Sequence, residues 1–293
     1  FDKIRNEGYI YVDKTSMIYS LVTEGSVYFL SRPRRFGKSL LISTLENYFL
    51  GRKELFKGLA IEQQEKDWKQ YPVLRLDFNS DDFTEIGRLQ HTLENFVADL
   101  EWKYQVKPDD KLSIGRRFSK VLETIHQQTG LRVVVLVDEY DKPLLDVMDL
   151  DYKVEYQGEE ITLEEYNRNS LKAFYSTFKA ADKDLQFVFL TGVTKFSQVS
   201  VFSGFNQPED ISLSPAYETL CGITEEEMVE VFHEPIDKMS QFYRCSFNEM
   251  VEKLKKQYDG YHFSDVMTGV INPFSLLNAF KSLRMQDYWF KTG

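Results

Sequence analysis

The segment from Arg32 to Ser39 constrains the fold of this chain more than any other. It reads Arg-Pro-Arg-Arg-Phe-Gly-Lys-Ser, follows a wholly apolar run at 27–30 and precedes a stretch with helical character that extends to about Phe49. A strand, a loop ending in Gly-Lys-Ser and a helix, in that order, are typical of phosphate-binding loops. Free N–H groups at the start of such a helix point at one spot, and the helix dipole favours an anion there. The segment therefore predicts a site for the phosphates of a nucleotide.

The residues of this loop have separate expected roles. Gly37 lets the backbone approach the phosphates without a clash from a Cβ atom. Lys38 is expected to reach the β- and γ-phosphates and to act in catalysis, and the Ser39 hydroxyl is expected to bind Mg²⁺. The full set of expected nucleotide-binding residues is Arg32, Pro33, Arg34, Arg35, Phe36, Gly37, Lys38, Ser39 and Leu40.

The first half of the loop departs from the usual G-x-x-x-x-G-K-[ST] pattern. Arg32 stands where the first glycine is expected, and Pro33 removes one amide donor. We expect Arg34 and Arg35 to offset the loss by contributing guanidinium charge. The alternative interpretation is a basic surface turn that contains Gly-Lys-Ser by chance.

A second motif favours the nucleotide interpretation. Five apolar residues at 133–137 lead into Asp138 and Glu139, as in a Walker B strand. Asp138 is expected to hold Mg²⁺, and Glu139 is the candidate general base for an attacking water. Ligands of open α/β sheets collect at the carboxyl ends of strands, so both motifs should converge there. A buried strand that ends in two solvated acids is the alternative, and the presence of the loop argues against it.

Thr191 closes a further apolar run, 187–191, and is a candidate catalytic residue. Its hydroxyl could bond the γ-phosphate or the attacking water, with Thr194 and Lys195 as nearby alternatives. A threonine that merely ends a strand is an equal alternative. The pair Asp141 and Lys142 is interpreted as a solvated turn before Pro143.

The order of apolar and helical segments predicts the architecture. Apolar strands alternate with helices up to about residue 223, which predicts an α/β fold of three layers around a mainly parallel sheet, as in P-loop NTPases. A further strand is expected at 211–213, and the acidic stretch 146–160 is expected to be a loop or a short hairpin. Residues 224–293 read as helices and are expected to form a lid subdomain beside a core of residues 1–223, with one continuous helix over 225–239.

Composition limits the classes of function. Lys and Arg total 36 against 46 acidic residues, a net charge of −10, which argues against an extended nucleic-acid-binding face and leaves nucleic acid as an indirect partner only. The two cysteines form no metal or disulfide framework, and no histidine pair suggests zinc. No signal peptide or membrane-spanning run occurs, so the expected location is the cytoplasm. The turn 258–263 is expected to be a packed aromatic corner rather than a contact to a base or ribose.

Six motifs together resemble the AAA-ATPase-like family of bacterial proteins: Tyr11–Thr15, Arg32–Ser39, Val137–Pro143, Leu190–Val193, Tyr258–Tyr261 and Asn272–Ser275. The resemblance covers nearly the whole chain and implies a P-loop core of the ASCE type with a helical extension. It also implies that the arginine-rich loop is the family's own form. Full-length members usually continue into a PD-(D/E)XK nuclease-like domain, and the chain ends close to where such a domain would begin.

The expected function is Mg²⁺-dependent binding and hydrolysis of ATP that regulates or drives a fused or partner nuclease-like domain. The chain contains no Asn-Lys-x-Asp guanine-recognition motif. A nucleotide-binding switch or scaffold with little hydrolysis is the alternative, and a nucleic-acid-binding module is a third. Arg116, Arg117 and Arg168 are conceivable arginine fingers, and the sequence leaves the oligomeric state open.

Overall fold

The computed structural model describes residues 1–194, 201–202 and 208–288. Its strands are β1 Val27–Ser31, β2 Val73–Asp77, β3 Val133–Asp138, β4 Lys153–Tyr156, β5 Glu159–Thr162, β6 Leu185–Gly192 and β7 Glu209–Asp210. Its helices are α1 Asp2–Asn6, α2 Thr15–Glu24, α3 Lys38–Phe49, α4 Ile61–Gln64, α5 Arg88–Lys103, α6 Ile114–Thr129, α7 Lys142–Leu145, α8 Leu163–Ala180, α9 Glu225–Val231, α10 His233–Tyr243, α11 Phe247–Tyr258 and α12 Pro273–Ser282.

Five of the strands form one sheet in the order β2-β3-β6-β1-β7. Every neighbouring pair in this sheet is parallel. All six residues of β3 are buried, as expected for a strand with helices on both faces. The strand before the Gly-Lys-Ser loop and the strand that ends in Asp138 are therefore separated by β6. The predicted α/β fold with a mainly parallel sheet is confirmed.

Helices cover the two faces of the sheet and produce two apolar cores. Val133, Val135 and Val137 of β3 join one core with residues of α5, α6 and α8. Val134 and Leu136 join the other core with residues of α2 and α3. The alternation follows from the two-residue period of a strand, which sends successive side chains to opposite faces.

The edge strand differs from the prediction. It is β7 at residues 209–210, and the predicted strand 211–213 is wrong apart from one hydrogen bond from Ile211 N–H to the Phe29 carbonyl (3.0 Å). The Asp210 carboxylate accepts the N–H of Ser212 (2.9 Å), which turns the chain, and the Ser212 hydroxyl accepts the N–H of Ser31 (2.8 Å). A local aspartate turn thus ends the strand that the apolar residues alone would have continued.

Residues 225–288 are mainly helical and have their own apolar cluster, which includes Met228, Met239 and Leu276; this segment is called the helical subdomain below. Capping boxes at Thr224 and Ser246 start α9 and α11. The single helix expected over 225–239 is wrong, because it breaks at Phe232 into α9 and α10. Pro235 has no N–H to donate to the carbonyl four residues earlier. The boundary between residues 223 and 224 stays a prediction.

The acidic stretch before α8 contains an antiparallel hairpin of β4 and β5. Val147, Val154 and Leu163 pack under it as a small separate cluster. Over the part of the chain that the structure describes, no helix has both the length and the apolar character needed to cross a bilayer.

Candidate functional site

The carboxyl ends of four neighbouring strands meet at one edge of the sheet. In register, Ser31 at the end of β1 lies beside Gly192 of β6, and Asp77 of β2 lies beside Asp138 of β3. Gly37, which opens α3, has a φ of 94°, a left-handed conformation that favours glycine. The loop 32–37 therefore lies at the edge where β3 and β6 also end.

Lys38 and Glu139 contact each other in this structure. The Lys38 ammonium lies 3.1 Å from Glu139 Oε1 and donates to the carbonyls of Arg32 (3.0 Å) and Pro33 (3.2 Å). The Lys38 side chain is buried. Two of the three predicted catalytic groups are thus held against each other, and the ammonium lies on the carbonyls of its own loop.

Glu139 has an unusual backbone and an unusual environment. Its φ is 55°, which is left-handed for a residue with a full side chain. Burial raises the pKa of the Glu139 carboxyl above its ordinary value, and the nearby Lys38 ammonium opposes part of that rise. A carboxyl with a raised pKa is a better proton acceptor near neutral pH than an ordinary one.

Asp138 is fully buried, and its two carboxylate oxygens differ. Oδ1 accepts a hydrogen bond from the Thr191 hydroxyl (2.8 Å). Oδ2 has no hydrogen-bond donor among the described residues, and the Arg75 guanidinium lies 3.9 Å away. A buried carboxylate oxygen without a donor fits a cation ligand, because ionised oxygen in a dry site needs a positive partner.

The described residues contain no cluster of three or more His, Cys, Asp or Glu that could hold a metal by itself. Asp138 and the exposed hydroxyl of Ser39 are oxygen donors of the kind that Mg²⁺ prefers. An ion at this edge would therefore need further oxygens from a ligand or from water, which is usual for Mg²⁺ beside phosphates.

Thr191 lies behind the two acids. Its hydroxyl donates to Asp138 and accepts the Glu139 N–H (3.4 Å), and the residue is fully buried. Here its hydroxyl is used to position the acids. Of the two alternatives that the sequence offered, Thr194 bonds Asp141, and Lys195 lies outside the described residues.

The Arg32 side chain points away from the loop. Its guanidinium donates to the carbonyls of Ser212 (2.7 Å) and Tyr217 (3.1 Å) and lies 4.0 Å from the centre of the Phe263 ring. Only 1% of Arg32 is exposed. Any contact between this residue and a ligand would have to come from its backbone.

The remaining loop residues divide between surface and core. Arg34 and Arg35 are exposed, and the Arg35 guanidinium lies 4.9 Å from the Phe274 ring of α12. Phe36 is buried edge-on against Tyr261 (4.7 Å) and Phe263 (5.5 Å). The turn 258–263 is the packed corner that we expected, and it supports the loop through the contacts of its rings with Phe36.

A cavity of about 510 Å³ adjoins the loop. It lies between the N-terminal segment, the start of α3 and the helical subdomain, and its walls are almost wholly apolar. Members of the three walls include Tyr11, Ile18, Gly37, Leu41, Ile223, Phe232 and Leu277. Among the described residues that line this cavity, Lys14 is the one Lys, Arg, Asp or Glu.

Lys14 joins the N-terminal segment to the helical subdomain. Its ammonium donates to both carboxylate oxygens of Glu227 (2.5 and 2.6 Å) at the start of α9. Glu227 also accepts the Thr224 N–H (2.8 Å). Sequence reasoning gave neither residue a chemical role, although Lys14 belongs to one of the six motifs.

The interpretation of Asp141 and Lys142 as a solvated turn is wrong. Asp141 is fully buried rather than solvated, and its carboxylate accepts the N–H groups of Val193 (3.0 Å) and Thr194 (2.7 Å). Lys142 is half-buried and donates to the Asp81 carbonyl (2.7 Å). Burial raises the pKa of Asp141, and the bonds from Thr194 oppose the rise.

The candidate arginine fingers have other partners. Arg117 is buried and bonds both Glu101 oxygens (3.0 and 2.7 Å), so its charge is used within the core. Arg168 pairs with Glu164 on the same helix. Arg116 is exposed on α6.

Comparison with known proteins gives three findings. The family described as Predicted AAA-ATPase matches residues 1–202. An "Uncharacterized protein in vnfD 5'region" of Azotobacter chroococcum mcd 1 is 37% identical over 295 residues, which include 100% of this chain and 52% of that protein. The chain thus spans about half the length of this relative. The solved structure of Cdc6p from Pyrobaculum aerophilum is 13% identical, covers 76% of this chain and 50% of its own, and superposes with a TM-score of 0.37.

Proposed function

Because the chain belongs to the Predicted AAA-ATPase family, we propose that it binds ATP together with Mg²⁺ and hydrolyses the bond between the β- and γ-phosphates to give ADP and phosphate. The observation that carries the proposal is the meeting of Lys38, Glu139 and Asp138 beside the loop at one sheet edge. A loop lysine, a buried acid and a second acid next to it are the groups that phosphoryl transfer to water requires.

Phosphate binding would begin with an exchange of partners at Lys38. The ammonium now lies on two loop carbonyls and on Glu139. A triphosphate offers more negative charge than those partners, and the N–H groups at the start of α3 add donors. Lys38 would then move to the phosphates, and Glu139 would become available for a water molecule.

Asp138 and Ser39 would hold the Mg²⁺ ion. When bound, the ion supplies positive charge that neutralises the phosphate oxygens as the bond to the γ-phosphate breaks. Thr191 keeps Asp138 oriented through its hydroxyl. Glu139 would accept a proton from the attacking water, in line with its raised pKa.

The cavity beside the loop is the proposed site for the base. Its apolar walls suit a flat aromatic ring, because such a ring buries large apolar area and few polar groups. Guanine would bring more ring N–H donors into walls with few acceptors, at a cost for each unsatisfied donor. Adenine is therefore the proposed base.

Calorimetry with and without Mg²⁺ tests the binding step. Lys38→Ala should raise the Kd for ATP at least about tenfold, which corresponds to about 1.4 kcal/mol. Lys179→Ala, an exposed lysine at the end of α8, is the matched control and should bind normally. Equal affinity in the unaltered chain and in Lys38→Ala would refute the phosphate site.

Glu139→Gln tests the hydrolysis step. The variant should keep ATP affinity and lose turnover by roughly 10²- to 10⁴-fold, the usual contribution of a general base. A nucleotide-binding switch is the second candidate, and the pairing of Lys38 with Glu139 is the observation that favours it. Under that alternative, the unaltered chain would turn over no faster than Glu139→Gln.

The partner of the proposed ATPase is part of the same proposal. The resemblance supports a nuclease-like domain that ATP binding or hydrolysis regulates, and contact with nucleic acid would then be indirect. The relative is nearly twice as long as this chain, which leaves room in that protein for another domain. Both cysteines are unpaired, which supports a cytoplasmic location. Self-association of the chain is also part of the proposal.

A further inference from the structure

Two turns at the functional edge are fastened to each other by several hydrogen bonds. One is the turn 138–141 that follows β3, and the other is the turn 191–194 at the end of β6. The Tyr140 N–H donates to the Thr191 carbonyl (2.8 Å), and the Tyr140 hydroxyl donates to the Thr194 carbonyl (3.1 Å). Each turn carries a residue of the proposed site, so their relative position sets the geometry of the acids.

The Asp141 carboxylate is the centre of this junction. It accepts the N–H of Val193 (3.0 Å) and both the N–H (2.7 Å) and the hydroxyl (2.9 Å) of Thr194. No described Lys, Arg or His forms an ion pair with it. Its donors among the described residues are thus neutral, and a buried carboxylate held by neutral donors is costly, which argues for a role other than general stability.

At Gly192, the junction leaves no space for a side chain. A Cβ atom on Gly192 would lie 2.4 Å from the Tyr140 ring and 2.9 Å from Asp141 Oδ1. The Gly192 backbone therefore lies directly against the side chains of Tyr140 and Asp141, and a side chain at residue 192 would push the two turns apart. Asp141 and Gly192 are two independent points at which the junction can be disturbed.

The strained residue lies between the junction and the metal-binding acid. Glu139 keeps a φ of 55°, although a residue with a side chain prefers negative values. Such a conformation persists only where the surrounding structure holds it. The fastened residues on its C-terminal side are Tyr140 and Asp141, and the fixed residue on its N-terminal side is Asp138.

We propose that Asp141 is a positioning residue for the hydrolysis proposed above: by fastening the turn 138–141 to residues 193–194, it keeps the Glu139 carboxylate aimed at the phosphate loop. The proposal rests on the proposed function. Asp141 does not touch the nucleotide in this scheme. It acts through Glu139, whose carboxylate lies 3.1 Å from Lys38.

Steady-state hydrolysis by Asp141→Asn and Gly192→Ala tests this proposal. Asparagine presents an NH₂ group to at least one of the donors, so the junction should loosen without a change of size. Both variants should lose kcat by about 10²-fold, the effect of a misplacement of about 1 Å, with KM and ATP affinity within about threefold of normal. Thr194→Val removes one of the three bonds and keeps the other two, so it is the matched control and should lose kcat by less than about threefold.

The split between kcat and KM, measured beside thermal unfolding, separates a positioning role from a merely structural one. A displaced Glu139 should lower kcat, while KM, ATP affinity and the unfolding temperature stay close to those of the unaltered chain. An unchanged kcat in both variants would overturn the proposal. Parallel loss of ATP binding and of thermal stability in both variants would also overturn it, in favour of a structural role.

Turnover by the unaltered chain is measured first, because it distinguishes failure of the proposed hydrolysis from failure of the proposed role of Asp141. Absence of turnover despite ATP binding would refute the proposed hydrolysis, and the role of Asp141 with it. Normal turnover by the unaltered chain and by both variants would refute only the role of Asp141.

Discussion

At the scale of single residues, two of the charged groups at the site pair with each other. Lys38 and Glu139 neutralise each other across 3.1 Å, whereas Asp138 Oδ1 accepts a hydrogen bond from the neutral Thr191 hydroxyl and Asp138 Oδ2 has no donor among the described residues. These groups come from three separate strand ends, β1, β3 and β6. They meet because parallel strands that lie side by side end at the same edge of the sheet.

We predict that Glu139→Gln becomes more stable relative to the unaltered chain as pH rises. Burial raises the folded pKa of Glu139 above 4.5, so the folded chain holds a proton that the unfolded chain has already released. The stability from that proton is complete below the unfolded pKa and is lost as pH rises through the folded pKa. Glutamine does not titrate and escapes this loss, which amounts to at most about 1.4 kcal/mol per pH unit.

Urea unfolding of both proteins at several pH values between about 4 and 8 measures this difference. The other carboxylates are the same in both proteins and cancel in the comparison. Parallel stability curves for the two proteins would contradict a raised pKa for Glu139.

At the scale of elements, the loop takes its shape from segments that are distant in sequence. Arg32 is held by carbonyls at 212–217, and Phe36 is held by the aromatic turn at 261–263. A glycine at position 32 would suit a loop shaped by its own backbone. In this loop the first residue is an anchor, and an arginine reaches the carbonyls that a glycine could not.

We predict that Arg32→Gly, which restores the familiar pattern of the loop, destabilises the chain. The change removes a charged donor from the Ser212 and Tyr217 carbonyls and removes the contact with Phe263, at a cost of about 2 to 3 kcal/mol. Arg34→Gly is the control, because Arg34 is exposed, and it should cost much less. Denaturant unfolding measures both. Tighter ATP binding by Arg32→Gly with unchanged stability would show that Arg32 is no anchor.

At the scale of the whole molecule, the Lys14–Glu227 pair connects the N-terminal wall of the cavity to the helical subdomain. Lys14 is 7% exposed. Burial lowers the pKa of Lys14, and the Glu227 carboxylate opposes the fall. The pair therefore fixes one wall of the cavity relative to another.

A double-mutant cycle with Lys14→Met and Glu227→Gln measures this connection. Each single change leaves the buried Lys14 or the half-buried Glu227 without its ion pair, and the glutamine still accepts the Thr224 N–H. We predict a coupling free energy of about 1 to 3 kcal/mol from denaturant unfolding. The exposed pair Lys238–Glu234 is the matched control and should couple by less than about 1 kcal/mol. Equal coupling in the two pairs would mean that the buried pair fixes nothing.

The sequence allowed the fold to be predicted wherever a pattern is local. The strand β3 and the helix α3 follow from apolar runs and from the glycine that opens the helix. The break at Phe232 could also have been predicted from Pro235, and the prediction of one helix there was wrong. The short β7 could not be predicted, because its end depends on the Asp210 side chain, which accepts a backbone N–H two residues later.

The site could be predicted only in part for the same reason. The expected edge position of Asp138 follows from the strand before it. The burial of Asp141 depends on residues more than fifty positions later, and the direction of Arg32 depends on residues 180 positions later. Nothing in the local sequence distinguishes a buried aspartate of this kind from a solvated one.

The anchoring of the loop also has a consequence for the order in which the chain acquires its structure. The loop leaves the ribosome before the carbonyls that hold Arg32 and the rings that hold Phe36, which are made only after residue 211. The family match ends at residue 202, before any of them. A nascent chain that has reached residue 202 would carry the complete Gly-Lys-Ser sequence without the contacts that shape it, so the loop should be among the last parts of the core to become ordered.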